Sequence, residues 1–142
     1  MLRFLPEMVR PQPGAHELVA WVAARGLPRA IASSSPAIVI DAVVQSQGWE
    51  DVFAVRCTAD DVPAGKPAPD VYLAAAQRLG IPPERCLALE DSPTGARAAV
   101  AAGMVCCAVP DLTHSAPDAF AAITPHVASS LHDVLAALQK HE

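Results

Sequence analysis

The chain has 142 residues, of which 52% are hydrophobic and only 4% aromatic, and its formal net charge is -5. This length and composition fit one globular domain with a core of small aliphatic side chains and exclude a disordered chain. Lys and Arg form no basic stripe and no apolar run approaches membrane-spanning length, so neither nucleic acid nor membrane is an expected partner.

Helix and strand patterns alternate along the chain. The predicted elements are, in order, helix AHELVAWVAARG (15–26), strand RAIAS (29–33), helix AIVIDAVVQSQG (37–48), strand VFAVR (52–56), helix DVYLAAAQRLG (70–80), strand CLALE (86–90), helix SPTGARAAVAAG (92–103), strand MVCCAVP (104–110), strand HVAS (126–129) and helix LHDVLAALQK (131–140). Strands that alternate with helices of about ten residues across short loops predict an α/β fold, a Rossmann-like doubly wound parallel sheet with helices on both faces.

The four cysteines have no C-x-x-C spacing. Cys106 and Cys107 are adjacent on one predicted strand, so their side chains should point to opposite faces of the sheet. We therefore expect free thiols, which are typical of a reducing compartment, and a cytoplasmic protein.

Two turns of the sequence, IASSSP and LALEDSP, share one pattern: an apolar strand, polar residues, Ser-Pro and a helix. Because the carboxyl ends of parallel strands lie at one edge of a sheet, both turns should face the same pocket. At the first turn, Ser33 and Ser34 precede a helix N-terminus, where unbonded N–H groups and the helix dipole favour an anion. Alternatively the serines only cap the helix, with Ser35 suited to the N-cap and Pro36 to the first helical position.

The segment AGKPAPD places a lysine beside this pocket. Gly65 leaves the backbone free to turn, and Pro67 keeps Lys66 out of the helical conformation ahead of a helix that starts near Pro69. Two positions of the Lys66 side chain are then open. Its ammonium group projects into the pocket, or it is a solvated loop lysine, since Lys is rarely buried without a partner.

The second turn places two carboxylates, Glu90 and Asp91, side by side at the end of a strand. Adjacent like charges repel and are costly to desolvate, so we expect a cation between them, and hard oxygen ligands suit Mg²⁺ with retained waters. Alternatively Asp91 accepts hydrogen bonds from helix N–H groups and Glu90 points to solvent. An anion cradle, a lysine and an acid pair on one sheet edge together indicate a phosphate-ester site.

The order Ser, G-K-P-x-P-D and E-D-S, each after a strand, resembles the haloacid dehalogenase (HAD) superfamily. The similar branch contains β-phosphoglucomutase, phosphoglycolate phosphatase, and the 2-deoxyglucose-6-phosphate and hexitol phosphatases. The resemblance runs from about Gly14 to Pro110 and rests on IASSSP, GKPAPDVYLAAAQRLG and CLALEDSPTGARAAVAAG. It implies a HAD-like core and hydrolysis of a small phosphorylated metabolite, such as a sugar phosphate, through an aspartyl phosphate.

The resemblance also implies a role for each matching residue. Ser33 would hydrogen-bond the oxygens of the transferring phosphoryl group, with the backbone N–H of Ser34 beside it. Lys66 would balance charge between nucleophile and phosphate. Glu90 and Asp91 would hold Mg²⁺ directly or through water.

One part of the family's pattern has no match in the sequence. Members begin with a strand that ends in D-x-D, whose first Asp attacks phosphorus and whose second acts as general acid and base. Here Asp60 and Asp61 fall in a loop and Asp51 lacks a partner. The helical cap has no match either, except that residues 1–13 resemble the return from cap to core, which leaves 14–142 as a partial HAD-like core. We expect the chain to begin in the middle of the family's fold, through truncation or gene prediction.

The D-x-D strand is central in the family, between the strands that end at Ser33 and Glu90. Loss of about five buried apolar side chains at roughly 2 kcal/mol each is on the order of 10 kcal/mol, against a typical net stability of about 5–15 kcal/mol. Either the flanking strands close up, or the sheet stays gapped with open edges that favour self-association. We expect an oligomeric or poorly soluble chain without phosphatase turnover of its own; the alternative function is a non-catalytic phosphate- and metal-binding or interaction module.

Overall fold

Helices and strands alternate through the computed structural model, which describes residues 12–110 and 117–141. The helices are α1 (Ala15–Ala24), α2 (Ala37–Gln47), α3 (Asp70–Leu79), α4 (Pro93–Ala101) and α5 (Leu131–Lys140). The strands are β1 (Ala30–Ala32), β2 (Val55–Cys57), β3 (Leu87–Glu90), β4 (Val105–Ala108) and β5 (His126–Val127). The predicted α/β alternation is confirmed. Residues 1–11, which hold most of the predicted cap-to-core return, lie outside the described residues.

The strands form two parallel sheets instead of one. β1 pairs with β2 in the first sheet, and the second sheet has the order β3-β4-β5. All three pairings are parallel, and their registers place Ala32 opposite Cys57 and Glu90 opposite Ala108. No strand pairing joins β1 to β3 within residues 12–110 and 117–141. Of the two outcomes expected for a missing central strand, the structure shows the gapped sheet.

Helices cover both faces of the strands, and β4 shows this most directly. Cys106 is buried in the main core cluster with residues of α3 and α4, among them Val71 and Ala99. Cys107 packs instead against the second cluster, which contains Leu18 of α1 and Val134 of α5. The neighbouring cysteines therefore face opposite layers, as predicted from strand alternation. All four cysteines are free thiols. Across the described ranges, every helix is too short or too polar to cross a membrane.

The helix ends show which of the predicted helix caps are present in the structure. Ser92 caps α4, accepting a hydrogen bond of 3.1 Å from the Gly95 N–H, and Pro93 is its first residue. The predicted Ser35 cap of α2 is wrong, because α2 begins at Ala37 and Pro36 occupies the N-cap position, one residue before the first helical position predicted for it. The N-terminus of α2 is capped across the fold, where the Ala37 N–H donates to Asp60 Oδ2 at 2.9 Å.

Removal of the Phe120 ring should test the main core. Phe120 is 0% exposed and belongs to the main cluster, so Phe120→Ala should lower the free energy of unfolding by about 3–5 kcal/mol in urea titrations. Ile38→Ala is the control, because Ile38 on α2 is 60% exposed and its loss should cost no more than about 0.5 kcal/mol. Equal losses in the two variants would contradict the assignment of Phe120 to the core.

Candidate functional site

The carboxyl ends of β1 and β3 meet at the side chain of Lys66. Its Nζ donates a hydrogen bond of 3.0 Å to the Ala32 carbonyl, at the end of β1. The same ammonium group lies 2.5 Å from Oε1 of Glu90, at the end of β3, and 4.9 Å from the centre of the Tyr72 ring. Lys66 therefore points inward to a carboxylate, and the alternative of a solvated loop lysine is wrong.

The loop around Lys66 is tied to the β1 turn. The Lys66 N–H donates to Ser34 Oγ at 3.1 Å, and the Lys66–Pro67 peptide bond is cis. α3 begins at Asp70 with Pro69 in the N-cap position, close to the predicted start. The short path from Gly65 to α3 thus brings the lysine beside the serines, as the sequence predicts.

Glu90 is buried, with 8% of its surface exposed. Strand alternation explains this, because Ala88 and Glu90 point to the face covered by α3 and α4, while Leu87 and Leu89 point the other way. Glu90 Oε1 accepts hydrogen bonds from Lys66 Nζ and from the Tyr72 hydroxyl. The alternative in which Glu90 points to solvent is wrong.

Asp91 follows the end of β3 and is exposed. The hydrogen bond at the α4 N-terminus is accepted by the Ser92 side chain, so the alternative capping role of Asp91 is also not observed. The two adjacent acids thus differ in environment. Glu90 is paired with a cation inside the protein, whereas Asp91 faces outward from the same sheet edge.

The acid pair fits Mg²⁺ held by few protein ligands. No group of three His, Cys, Asp or Glu side chains comes together in the part of the chain that the structure describes. Mg²⁺ is commonly bound by one or two carboxylates, with water and substrate phosphate completing its shell. The bonds from Lys66 and Tyr72 occupy Oε1 of Glu90, and its Oε2 lies against Gly95 of α4, so the exposed Asp91 carboxylate is the accessible hard oxygen donor of the pair.

The two serines keep their donor capacity. Ser33 Oγ accepts a bond from the Ser35 N–H, and Ser34 Oγ accepts one from the Lys66 N–H. A hydroxyl that accepts still has its own proton to donate, so both can bond an anion. The anion site differs from the predicted one at the start of α2, because the Ala37 N–H already donates to the Asp60 carboxylate and is therefore not free for an anion.

Sequence reasoning missed three residues that shape this edge: Tyr72, Gly95 and Asp60. Tyr72 is the chain's single tyrosine and is buried, and a buried phenol usually has a hydrogen-bond partner. Gly95 lies within α4, and glycine inside a helix often signals a close packing contact. A Cβ at Gly95 would overlap the Glu90 carboxylate, so the glycine makes room for it. The role of Asp60 had no local sequence signal, because the residue whose N–H it binds, Ala37, lies 23 positions away in sequence.

The buried carboxylate perturbs its neighbours. Burial, and then the charge of Glu90, raise the pKa of the Tyr72 phenol far above its usual value near 10. Burial, reinforced by Glu90, also raises the pKa of the Cys106 thiol to about 11. Both groups are therefore neutral near pH 7, and neither is an activated nucleophile.

A sequence model of haloacid dehalogenase-like hydrolases matches residues 2–103. The chain is 42% identical over 122 residues to the plasmid protein CbbY of Cupriavidus necator, covering 82% of this chain and 48% of that protein. It is 40% identical over 107 residues to hexitol phosphatase B of Escherichia coli, covering 75% of this chain and 48% of that protein. The chain spans about half the length of these curated relatives.

Solved structures show the same similarity in three dimensions. One is a CbbY variant from Rhodobacter sphaeroides in complex with xylulose-(1,5)bisphosphate. It superposes with a TM-score of 0.78 and 32% sequence identity, and the match covers 91% of this chain and 60% of that one. The fold similarity therefore extends over nearly all of the chain.

Addition of one methyl group at Gly95 should displace Glu90. Alanine normally gains up to about 1 kcal/mol over glycine inside a helix, but here the Cβ overlaps a buried carboxylate, so Gly95→Ala should lower the free energy of unfolding by more than about 1 kcal/mol. Gly65→Ala is the matched control near the site, because its Cβ would make only an ordinary contact of 3.6 Å with Ser34 Oγ. If urea titration finds Gly95→Ala at least as stable as wild type, the close packing of Glu90 on α4 is wrong.

The single tyrosine allows the Glu90 contact to be titrated. In native protein, the near-UV absorbance change of tyrosinate should have its midpoint well above pH 10, whereas in denaturant it should lie at about 10. Because the native pKa is raised, the neutral phenol stabilises the fold fully below about pH 10, and this stabilisation is lost as the pH rises further. Glu90→Gln should lower the native midpoint but leave it above 10, since burial persists. Coincident native and denatured midpoints would exclude the buried Tyr72–Glu90 contact.

Proposed function

Because this chain belongs to the haloacid dehalogenase-like hydrolase family, we propose that the edge built by Ser33, Ser34, Lys66, Glu90 and Asp91 is the phosphate- and metal-binding part of a phosphatase site. The substrate class is a small phosphorylated metabolite, such as a sugar phosphate. The observation that carries this proposal is the position of Lys66, whose ammonium group lies between the end of β1 and the Glu90 carboxylate.

In this proposal each side chain acts on a phosphoryl group at the sheet edge. The Ser33 hydroxyl donates to a phosphoryl oxygen, and the Ser34 hydroxyl and N–H lie on the same turn. Lys66 supplies the positive charge close to these donors, and its bond to Glu90 fixes where that charge sits. Fixed donors and charges of this kind stabilise negative charge as it develops on the transferring group without reorganising.

Glu90 and Asp91 are the proposed holders of Mg²⁺. When bound, Mg²⁺ neutralises and orients phosphoryl oxygens. Asp91 offers its carboxylate at the surface, and Glu90 keeps the local charge balanced by its pairing with Lys66. The buried acid is thus paired with a cation inside the protein, while its exposed neighbour faces the ligand.

The relatives support the substrate class. Hexitol phosphatase B is named as a phosphatase, and the Rhodobacter sphaeroides CbbY structure holds a sugar bisphosphate. Since the chain spans about half of its curated relatives, the activity of the whole protein and its choice of substrate are part of the proposal.

Binding of glucose 6-phosphate tests the proposed site. The ester should raise the midpoint of thermal unfolding when Mg²⁺ is present and glucose should not, because the phosphoryl group and the metal neutralise each other's charge at the edge. In calorimetric titration, Asp91→Asn should raise the Kd of the ester at least tenfold, which corresponds to a loss of about 1.4 kcal/mol of binding free energy. Asp51→Asn, a change at another exposed aspartate, should leave the Kd of the ester unchanged. Equal affinity for glucose, or no effect of Asp91→Asn, would contradict the proposal.

Turnover by the 142 residues alone is a separate expectation. Residues 1–142 contain no D-x-D motif, and Glu90, the acid that binds Lys66, is already held by two hydrogen bonds. We therefore expect no Mg²⁺-dependent hydrolysis of p-nitrophenyl phosphate. Hydrolysis abolished by Asp91→Ala would overturn this expectation, and it would also exclude the alternative function of a non-catalytic phosphate- and metal-binding module.

A further inference from the structure

The Tyr72 side chain contacts both members of the Lys66–Glu90 pair. Its hydroxyl donates a hydrogen bond to Glu90 Oε1, the same oxygen that the Lys66 ammonium group binds at 2.5 Å. Its ring lies beside the ammonium group, with Nζ of Lys66 4.9 Å from the ring centre, a distance at which a cation is attracted to the face of an aromatic ring. Tyr72 is 6% exposed, so both contacts are made by a buried side chain.

Tyr72 is held in place by the core packing of α3. Val71, Ala75 and Ala76 of the same helix are buried with it in the main core cluster. A tyrosine side chain has few rotatable bonds, so burial of the ring also fixes the position of the hydroxyl. Lys66, in contrast, lies in a loop and has a long, flexible side chain. The helix thus provides a rigid contact for an ammonium group that the loop alone would leave mobile.

The hydroxyl also changes the charge that Lys66 faces. A buried ammonium group is drawn strongly to a carboxylate, because their attraction is weakly screened away from water. The Tyr72 hydroxyl binds the same carboxylate oxygen, so the negative charge of Glu90 is shared between two donors. The positive charge of Lys66 is then less completely neutralised, and it can also act on an anion at the sheet edge.

Core filling alone does not explain the hydroxyl of Tyr72. Phenylalanine has the same ring, and a buried hydroxyl is costly unless it is hydrogen-bonded. The partner of the hydroxyl is the side chain of Glu90, the residue that binds Lys66, and both belong to the candidate site. The placement of this donor therefore indicates a role in the site.

We propose that Tyr72 is a positioning residue of the phosphate site, which acts through Glu90 and through its own ring to hold the Lys66 ammonium group available to a bound phosphoryl group. This inference rests on the proposed function, because it takes the phosphoryl group as the ligand of Lys66. It adds to that function a buried residue of α3 that acts on the ligand only through another side chain.

Removal of the hydroxyl alone tests the proposal. The probe is inorganic phosphate in the presence of Mg²⁺, titrated calorimetrically into the full chain. Tyr72→Phe keeps the ring but should raise the Kd of phosphate at least about fivefold, because Glu90 then neutralises more of the charge of Lys66. Val71→Ala is the matched control, since it removes a side chain from the same buried helix face and leaves the phenol in place. It should lower the midpoint of thermal unfolding but leave the Kd of phosphate unchanged.

The ammonium group of Lys66 gives a second readout, which a change in core stability alone would not move. The chain has only two lysines, and Lys140 at the end of α5 is exposed, so it serves as an internal reference. In ¹⁵N-labelled protein without ligand, the ammonium signal of Lys66 should shift in Tyr72→Phe, because its carboxylate partner has lost the second donor. Val71→Ala should leave the Lys66 signal in place, and neither variant should move the Lys140 signal.

The outcomes separate this inference from the proposed function. If the unmutated chain binds phosphate but Tyr72→Phe leaves the Kd unchanged, or if Val71→Ala raises it equally, the role of Tyr72 is overturned while the phosphate site stands. An unmoved Lys66 signal in Tyr72→Phe would overturn that role whether or not phosphate binds. Absence of phosphate binding to the unmutated chain would instead overturn the proposed function itself, and the role of Tyr72 in it.

Discussion

The Lys66 ammonium group is the constraint on which the arrangement of the sheet edge depends. It is the point where the two sheets meet, because it bonds the last carbonyl of β1 and the last side chain of β3. A buried charge is tolerated only when it is paired and hydrogen-bonded, and removal of one partner from such a pair typically costs about 3–5 kcal/mol. The lysine therefore fixes three segments at once: its own loop, the β1 turn through Ser34, and Glu90 on β3.

The geometry around this pair explains why two adjacent acids behave differently. Strand alternation directs Glu90 into the layer beneath α4, where Gly95 leaves room for it and Tyr72 donates a second hydrogen bond. Asp91 is the next residue, beyond the strand, and it faces outward. The result is a buried Lys66–Glu90 ion pair beside the exposed carboxylate of Asp91. That combination places two adjacent acids at a sheet edge without leaving the buried one unpaired.

Much of this could be predicted from sequence because the signals are local. Strand and helix periodicity and the Ser92-Pro93 start of α4 arise from a few neighbouring residues. The inward position of Lys66 stayed open at the sequence level, because its partner Glu90 lies 24 residues away. The cap of α2 could not be predicted, because its acceptor is Asp60 and not the nearby Ser35. The Tyr72–Glu90 bond likewise joins residues 18 apart in sequence on different elements. Sequence also left open whether β1 and β3 close up, since that choice depends on packing free energies summed over several helices.

The central claim is that, in the part of the chain that the structure describes, β1 and β3 stay unpaired while the side chain of Lys66 bonds the carboxyl ends of both. Amide hydrogen exchange measured by NMR, together with cross-strand nuclear Overhauser effects, tests it most directly. β4 is paired on both sides, so its amides should be strongly protected, while the amides on the edges of β1 and β3 that have no strand partner among the described residues should exchange like those of exposed loops. Overhauser effects between the backbones of β1 and β3, with protection equal to that of β4, would contradict the account.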